Sequence, residues 1–300
     1  MRVAVAGATG YIGGLLARRL AADGHETIAL ARRPEGAGDL KEAGIEVRRA
    51  DVLERDSLDA ALEGAEVAYY LVHSMGRGAK GGGFAERDRR GAESFAAAAA
   101  SAGVRRIVYL GGLGEGSGHL ASRHETGRTL AAGDVPVAYF RAAAVVGAGS
   151  ESFRTVLYLV RRLPVMVTPR WVTTRTQPIA VADAVAFLAA GADLEAPLER
   201  EIEIGGPEVT TYGGMMDELA RAMDRRPPLR LPVPVLSPRL SSLWIGLITP
   251  VDAGVARPLI EGLETETVVQ DPSGMDLIDV ERTPLPEAMR RALAGEEPLP

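Results

Sequence analysis

Along the first half of the chain, short apolar runs alternate with stretches whose apolar residues recur at helical spacing. Val3-Ala4-Val5-Ala6 is an apolar run closed by glycine, the pattern of a strand buried on both faces. Ile12, Leu15, Leu16 and Leu20 then repeat at the spacing of one helix face, and Asp23-Gly24 ends that helix. Thr27 to Leu30 and Ile45-Glu46-Val47 read as the second and third strands, Ser57 to Leu62 as a short helix, and Val67 to Val72 as the fourth strand. A long helix is predicted from Phe84 to Ser101, where Ala96 to Ala100 strongly favour helix. Arg106 to Leu110 and Val137 to Phe140 are the fifth and sixth strands. Strands separated by helices pair in parallel through right-handed crossovers. The predicted fold class is therefore α/β, a doubly wound parallel sheet.

The second half is less regular. Ser152 to Arg162 reads as helix, Val172 to Ile179 as extended, Val181 to Ala190 as helix, and Ile202-Glu203-Ile204 as a late strand. Beyond Pro207, helices alternate with Pro-rich connections such as Arg226-Pro227-Pro228. This predicts two units. Residues 1–150 and 177–206 form the sheet domain, and 151–176 and 207–300 form a smaller, mostly helical C-terminal substrate lobe. Gly76 to Gly83 and Gly111 to Gly118 follow strands four and five, at the carboxyl edge where ligands bind in such sheets. They are either site-lining segments or flexible connections.

Gly7-Ala8-Thr9-Gly10-Tyr11-Ile12-Gly13 joins the first strand to the first helix with the spacing G-x-x-G-x-x-G. The first glycine permits a tight turn, the second admits a pyrophosphate to the backbone, and the third lets helix and sheet pack closely. The helix N-terminus offers free N–H groups and a positive dipole end to phosphate. Dinucleotide binding follows, with Thr9 and Ile12 inside the turn. After the second strand, NAD-preferring sites carry an acidic residue that bonds the ribose hydroxyl. Here the chain reads Leu30-Ala31-Arg32-Arg33. Two guanidinium groups suit a 2′-phosphate, because they form bidentate, charge-assisted bonds. The cofactor predicted is NADP(H); the competing reading of Arg32 and Arg33 is a solvated basic loop. Asp51-Val52, after the third strand, is placed to flank the adenine, or Asp51 starts the next helix.

Composition narrows the chemistry. The 300 residues include no cysteine, which excludes disulfides, thiolate metal sites and a Cys nucleophile. A net charge of −6 and 5% aromatic residues argue against a nucleic-acid binder. Four histidines without carboxylates at ligand spacing give no metal site. The apolar run Leu243 to Ile248 is far shorter than the roughly 20 residues that span a bilayer. It reads as a buried helix, with peripheral membrane contact as the alternative. The N-terminus enters structure-like sequence directly, which predicts a cytoplasmic protein with no transmembrane segment.

The glycine turn, Arg32-Arg33, Asp51-Val52, and the sixth strand ending Arg141-Ala142 together resemble the short-chain dehydrogenase/reductase superfamily. The C-terminal lobe and Gly205-Gly206-Pro207-Glu208 resemble its extended or atypical branch, and NmrA-like NAD(P)H-binding proteins within it. Tyr70-Leu71-Val72-His73-Ser74-Met75 also resembles a subgroup of atypical members. The resemblance implies a Rossmann-type fold, with Leu71, Val72, His73, Gly111, Arg123 and Ala142 beside the cofactor.

The superfamily's usual chemistry uses Tyr-x-x-x-Lys and a hydroxyl residue after the fifth strand. The lysine lowers the tyrosine pKa, and the tyrosine passes a proton to the substrate oxygen. Of the 34 basic residues only Lys41 and Lys80 are lysine, and neither follows any of the seven tyrosines at that spacing. Where the motif is expected the chain reads His119-Leu120-Ala121-Ser122-Arg123, and strand five is followed by Gly111-Gly112-Leu113. Arginine stays protonated at ordinary pH, so Arg123 can hold a ribose hydroxyl or a phosphate. Histidine moves protons near neutral pH, which makes His73, His119 and His124 the candidate proton carriers. The bland alternatives are a mobile surface residue for His119 and hydrogen-bonded structural residues for His73 and His124. Glu86-Arg87-Asp88-Arg89-Arg90 reads as the solvated face of its helix.

Two functions remain in view. One is an NADP(H)-dependent oxidoreductase of the atypical kind, acting on a small apolar organic substrate. The apolar character of the segments around Phe153 and Tyr158, Trp171 to Pro178, and Pro250 to Leu263 suggests that substrate, though they could equally form a lobe interface. The other is a non-catalytic NADP(H)-binding redox sensor or accessory protein, favoured by the missing tyrosine, lysine and hydroxyl.

Overall fold

The computed structural model describes residues 1–73, 84–168, 170–194, 201–232 and 263–295. In chain order the strands are β1 (Arg2–Ala6), β2 (Glu26–Ala31), β3 (Glu46–Arg49), β4 (Val67–Tyr70), β5 (Arg106–Gly112), β6 (Val137–Ala142), β7 (Val145–Val146), β8 (Val165–Thr168), β9 (Arg175–Thr176), β10 (Ile179–Ala180), β11 (Ile202–Ile204), β12 (Thr210–Thr211) and β13 (Leu229–Pro232). The helices are α1 (Tyr11–Ala22), α2 (Gly38–Glu42), α3 (Arg55–Ala61), α4 (Phe84–Ser101), α5 (Gly118–Ala131), α6 (Glu151–Arg162), α7 (Val181–Ala190), α8 (Tyr212–Ala222) and α9 (Leu285–Ala294).

Seven strands form one sheet in the order β11-β6-β5-β4-β1-β2-β3, and every neighbouring pair is parallel. This is the predicted Rossmann-type doubly wound sheet. Side chains alternate between its two faces. Val3, Val5, Tyr69, Val108 and Phe140 join one buried cluster with Leu15, Leu16 and Leu20 of α1 and Leu188 of α7. Ala4, Ala6, Tyr70 and Ile107 join the other, with Leu58 of α3 and Phe95 of α4. Both faces are covered, so the strands read as continuous apolar runs instead of alternating ones. The strand order reverses at β1, which has β2 on one side and β4 on the other. Such a switch point opens a crevice at the carboxyl ends of the strands.

A third cluster lies outside the sheet. It joins Phe153 and Leu159 of α6 to Met215, Met216 and Leu219 of α8 and to Leu285 and Met289 of α9. Asp183 on α7 anchors the start of α9: the Thr283 N–H and hydroxyl donate to its carboxylate at 2.7 and 2.8 Å. Three short pairs, β7 with β10, β9 with β12 and β8 with β13, complete the strands. Among the described residues no helix is long and apolar enough to cross a membrane.

The structure reshapes two of the expected strands. Strand four stops at Tyr70, leaving Leu71 to His73 irregular at the sheet edge. The expected extended segment from Val172 to Ile179 is broken into the end of a 3-10 turn over Arg170–Thr173, then β9, then β10. The buried side chain of Gln177 interrupts it, donating to Gly206 O at 2.7 Å and accepting from the Val269 N–H at 3.1 Å.

Phe140 lies in β6 with no exposed surface. Phe140→Ala is expected to cost about 3–5 kcal/mol, read in urea unfolding as a lower midpoint at unchanged slope.

Candidate cofactor and active site

The turn after β1 depends on the absence of side chains. Gly7 has φ +89°, and a Cβ there would sit 2.7 Å from Leu71 O. A Cβ on Gly13 would sit 2.2 Å from Gly7 O. The Gly10 N–H donates to Gly7 O at 2.9 Å and closes the turn. Gly10 then caps α1 with no side-chain hydrogen bond, and the first turn carries no acidic residue. The first N–H groups of α1 and its dipole are left for an anion. The Tyr11 side chain rests on Gly147 and Gly149, where a Cβ would come within 2.4 Å of its hydroxyl and 2.3 Å of its ring.

The turn forms one wall of a cavity of about 400 Å³. Gly7, Gly10, Tyr11, Ile12 and Gly13 line it, with Leu71, Val72 and His73 beyond β4. Gly111, His119, Arg123 and Ala142 line it from β5, α5 and β6. The far end is built by α6, α8 and the 3-10 turn, through Val156, Leu159, Trp171, Met215 and Met216. Leu263 also lines it, whereas residues 250–262 lie outside the described residues. Phe153 packs in the third cluster, and neither it nor Tyr158 lines the cavity.

Four buried side-chain nitrogens of these lining residues have no hydrogen-bond partner among the described residues: His73 Nε2, His119 Nδ1, Arg123 Nε and Trp171 Nε1. Buried polar atoms are nearly always paired, so such a concentration points to a ligand. Arg123 also donates from its guanidinium to Leu110 O, which holds the side chain along β5. His73 Nδ1 lies 3.3 Å from the Asp88 carboxylate, and the His73 and His119 rings are 4.9 Å apart. Burial lowers the His73 pKa, with Asp88 opposing and Arg123 reinforcing the shift. Burial likewise lowers His119 to about 3, helped by Arg123 and His73.

Several expected site residues do not line this cavity. Thr9 is exposed and does not line the cavity. Arg32 and Arg33 are exposed just beyond β2, and neither is in an ion pair among the described residues. Asp51 accepts the Leu53 N–H at 3.0 Å in a turn ahead of α3, and Val52 packs towards Gly91 of α4. His124 turns away from the cavity: Nδ1 is 3.1 Å from the Tyr139 hydroxyl and Nε2 is 2.8 Å from Gly114 O. These partners imply an Nε2–H tautomer that pins the Gly114 loop. His119 is the opposite correction. It is not a mobile surface residue but a half-buried part of the cavity wall, because Gly111 to Gly114 is packed in place. A Cβ on Gly114 would meet Glu266 O at 2.7 Å. The other glycine-rich stretch, Gly76 to Gly83, lies outside the described residues.

The charge run on α4 also divides. Glu86 and Arg89 pair in solvent, but Asp88 is only 5% exposed and faces His73. Sequence reasoning missed Asp88 because its neighbours are charged. Its signal was a seven-residue spacing to Phe95, which is buried on the same helix.

The profile of an NAD(P)H-binding family matches residues 7–151. The ceramide reductase of Caulobacter vibrioides is 30% identical over 240 residues, spanning 77% of this chain and 74% of that protein. The chain belongs to the NAD(P)H-binding reductase family of that relative. Solved structures carry the same fold. Triphenylmethane reductase from Citrobacter sp. aligns at TM-score 0.77 and 19% identity, over 98% of this chain and 100% of that one. An NADPH-dependent quinone oxidoreductase from Escherichia coli aligns at 0.75 and 21%, over 97% and 99%.

The residues of this family member fit the cofactor. The Gly7–Gly13 cradle leaves no room for a Cβ, and the uncapped α1 N-terminus suits a pyrophosphate. Arg123 Nε, deeper in the cavity, is a donor without an acceptor among the described residues.

The depressed histidines make stability depend on pH. Below about 6.5 the unfolded chain protonates His73 and His119 while the folded protein resists. The unfolded state then binds more protons, so stability falls with acidity from about 6.5 toward 3. One such histidine contributes up to about 1.4 kcal/mol per pH unit. His119→Leu is expected to flatten the decline relative to wild type, measured by urea unfolding on both sides of about pH 6.

Proposed function

We propose that this family member is an NADP(H)-dependent reductase of a small, largely apolar carbonyl substrate, with His73 as the proton-transfer group. The observation that carries the reading is the buried His73 Nε2. It has no partner among the described residues, its ring lines the cavity, and its other nitrogen faces buried Asp88. NADPH, when bound, supplies a hydride to the carbonyl carbon. The chain's own residues must handle the proton. With Nδ1–H directed at Asp88, neutral His73 carries its lone pair on Nε2 and accepts a proton there. The Asp88 carboxylate stabilises the imidazolium that results, and Nε2–H then donates to the substrate oxygen. His119, held neutral, adds a second polar ring to the wall without adding charge. Arg123 holds a ribose hydroxyl or phosphate through Nε.

The residues divide between two jobs. The segments 1–150 and 177–206 hold the cofactor, and 151–176 and 207–300 hold the substrate. At the substrate end the aliphatic lining favours an apolar body, and two methionines adapt to its shape. The Trp171 N–H there, without a partner among the described residues, favours one oxygen on that body. A relative named as a ceramide reductase is consistent with an apolar substrate. Arg32 and Arg33, at the end of β2, are assigned to the 2′-phosphate. The second reading, a non-catalytic NADP(H) sensor or accessory protein, draws on the absent Tyr-x-x-x-Lys and on the Arg123 guanidinium being bonded to Leu110 O.

NADPH oxidation with a panel of ketones, enones and quinones separates the two. His73→Ala and Asp88→Asn should lower kcat roughly 100- to 10,000-fold, while the NADPH-induced rise in Tm persists. If no compound accelerates oxidation over a protein-free blank although NADPH binds, the sensor reading stands instead. Independently, Arg32→Ala/Arg33→Ala should raise the NADPH Kd about 10- to 100-fold and leave NADH nearly unchanged. Equal effects on both cofactors would remove the 2′-phosphate assignment.

A further inference from the structure

The ribbon of β8 and β13 has its polarity reversed. Arg230, in the middle of β13, turns inward, where its guanidinium donates to Gly213 O at 2.7 Å and pairs with Asp217 on α8. Its register partner on β8, Met166, is buried. The residues on either side turn outward: Leu229 is 62% exposed, Leu231 49%, and Val165, opposite Leu229, 46%. The other exposed large aliphatics among the described residues, Leu53, Val209 and Leu277, lie on separate elements or connections. Isolated exposed aliphatics are ordinary, but a clustered set marks an interaction surface.

The same edge is basic. The Leu229 N–H donates to Pro164 O at 2.9 Å, and Arg225 donates to Arg161 O at 3.2 Å, so the end of α6 and the start of β13 lie together. Arg161, Arg225 and Arg226 are exposed, and among the described residues none of them is in an ion pair. Many of the other described arginines do pair with carboxylates, as Arg2, Arg18, Arg55 and Arg89 show. The only carboxylate between Ala222 and Pro232 is Asp224. In a chain with net charge −6, this is a local reversal of sign.

We propose that the β8–β13 ribbon is a docking surface for an anionic bilayer, with Val165, Leu229 and Leu231 entering the interface and Arg161, Arg225 and Arg226 meeting lipid phosphates. Aliphatic residues rimmed by arginine match the layering of a membrane surface, apolar below and negative above. A two-fold pairing with a second copy fits less well, because an isologous contact opposes a patch to itself and sets arginine against arginine. The position also connects to the cavity. Helix α8 supports the ribbon through Gly213 and Asp217 and lines the apolar end of the cavity through Tyr212, Met215 and Met216. Helix α8 thus links the docking surface to the apolar end of the cavity. Docking at the ribbon does not require that the protein be a reductase.

The test is co-sedimentation of the full chain with vesicles of phosphatidylcholine plus phosphatidylglycerol, against phosphatidylcholine alone. Binding is expected to the anionic vesicles only, and to weaken as salt rises. Arg225→Ala and Arg226→Ala should each lower the partition coefficient about fivefold. Leu229→Asp/Leu231→Asp should abolish binding. An unchanged NADPH-induced rise in Tm verifies the fold of each variant. If the leucine variant fails that control, the arginine variants decide. Absence of vesicle binding at low salt would overturn the proposal, as would binding that ignores the arginine changes. So would dimers dissolved by Leu229→Asp/Leu231→Asp without vesicle binding, which would assign the ribbon to a second copy.

Discussion

Three stretches of backbone meet at Gly7, and the site depends on that meeting. Its carbonyl lies where a Cβ of Gly13 would stand, and its own missing Cβ leaves space for the carbonyl of Leu71. The first approach seats α1 against the sheet with its N-terminus at the switch point. The second brings the end of β4 alongside, and with it His73. A methyl group at either position would drive the helix or the strand away by more than the packed core can absorb. The glycine cradle and the end of β4 that carries His73 are therefore placed by two main-chain approaches to one glycine.

Around that contact the chain keeps a polar focus although it has no Tyr-x-x-x-Lys spacing. Lysine is nearly absent from the chain, and arginine occupies the expected position at Arg123. A guanidinium does not deprotonate, and here it is partly engaged by Leu110 O. It thus contributes a fixed positive charge that helps keep His73 and His119 neutral. The opposing charge comes from Asp88 on α4. Burying a carboxylate is costly unless it is compensated, and the imidazole beside it offers that compensation on demand. Burial and Arg123 favour the neutral ring, Asp88 favours the charged one, and the balance is set at the end of β4.

Some of this was legible without coordinates. The glycine spacing, the alternation of strands and helices, and the missing Tyr-x-x-x-Lys are local patterns, and each was read from neighbouring residues. Asp88 was not legible in that way. It sits in a run of charges whose hydropathy says solvent, and only the packing of α4 beside the end of β4 turns it inward. His124 shows the converse. It lies one residue beyond Arg123, yet on a helix adjacent residues point about 100° apart, so Arg123 faces the cavity while His124 faces Tyr139 and Gly114. The segment from Val172 to Ile179 looked extended because it is rich in β-branched residues, but Pro178 has no N–H to give a ladder, and the Gln177 side chain beside it bonds to Gly206 O and the Val269 N–H.

The sequence by itself determined the parallel sheet, the dinucleotide turn and the absence of the usual catalytic pair. Each depends on residue identity at short spacing, and steric or hydrogen-bonding rules act at that range. Tertiary structure alone decided which histidine meets a buried carboxylate, which nitrogens are left without partners, and which side of the β8–β13 ribbon faces out. Those depend on contacts between segments far apart in the chain, such as His73 with Asp88 and Arg230 with Asp217. A side chain's charge, tautomer and exposure follow from what stands opposite it, and no local pattern states that.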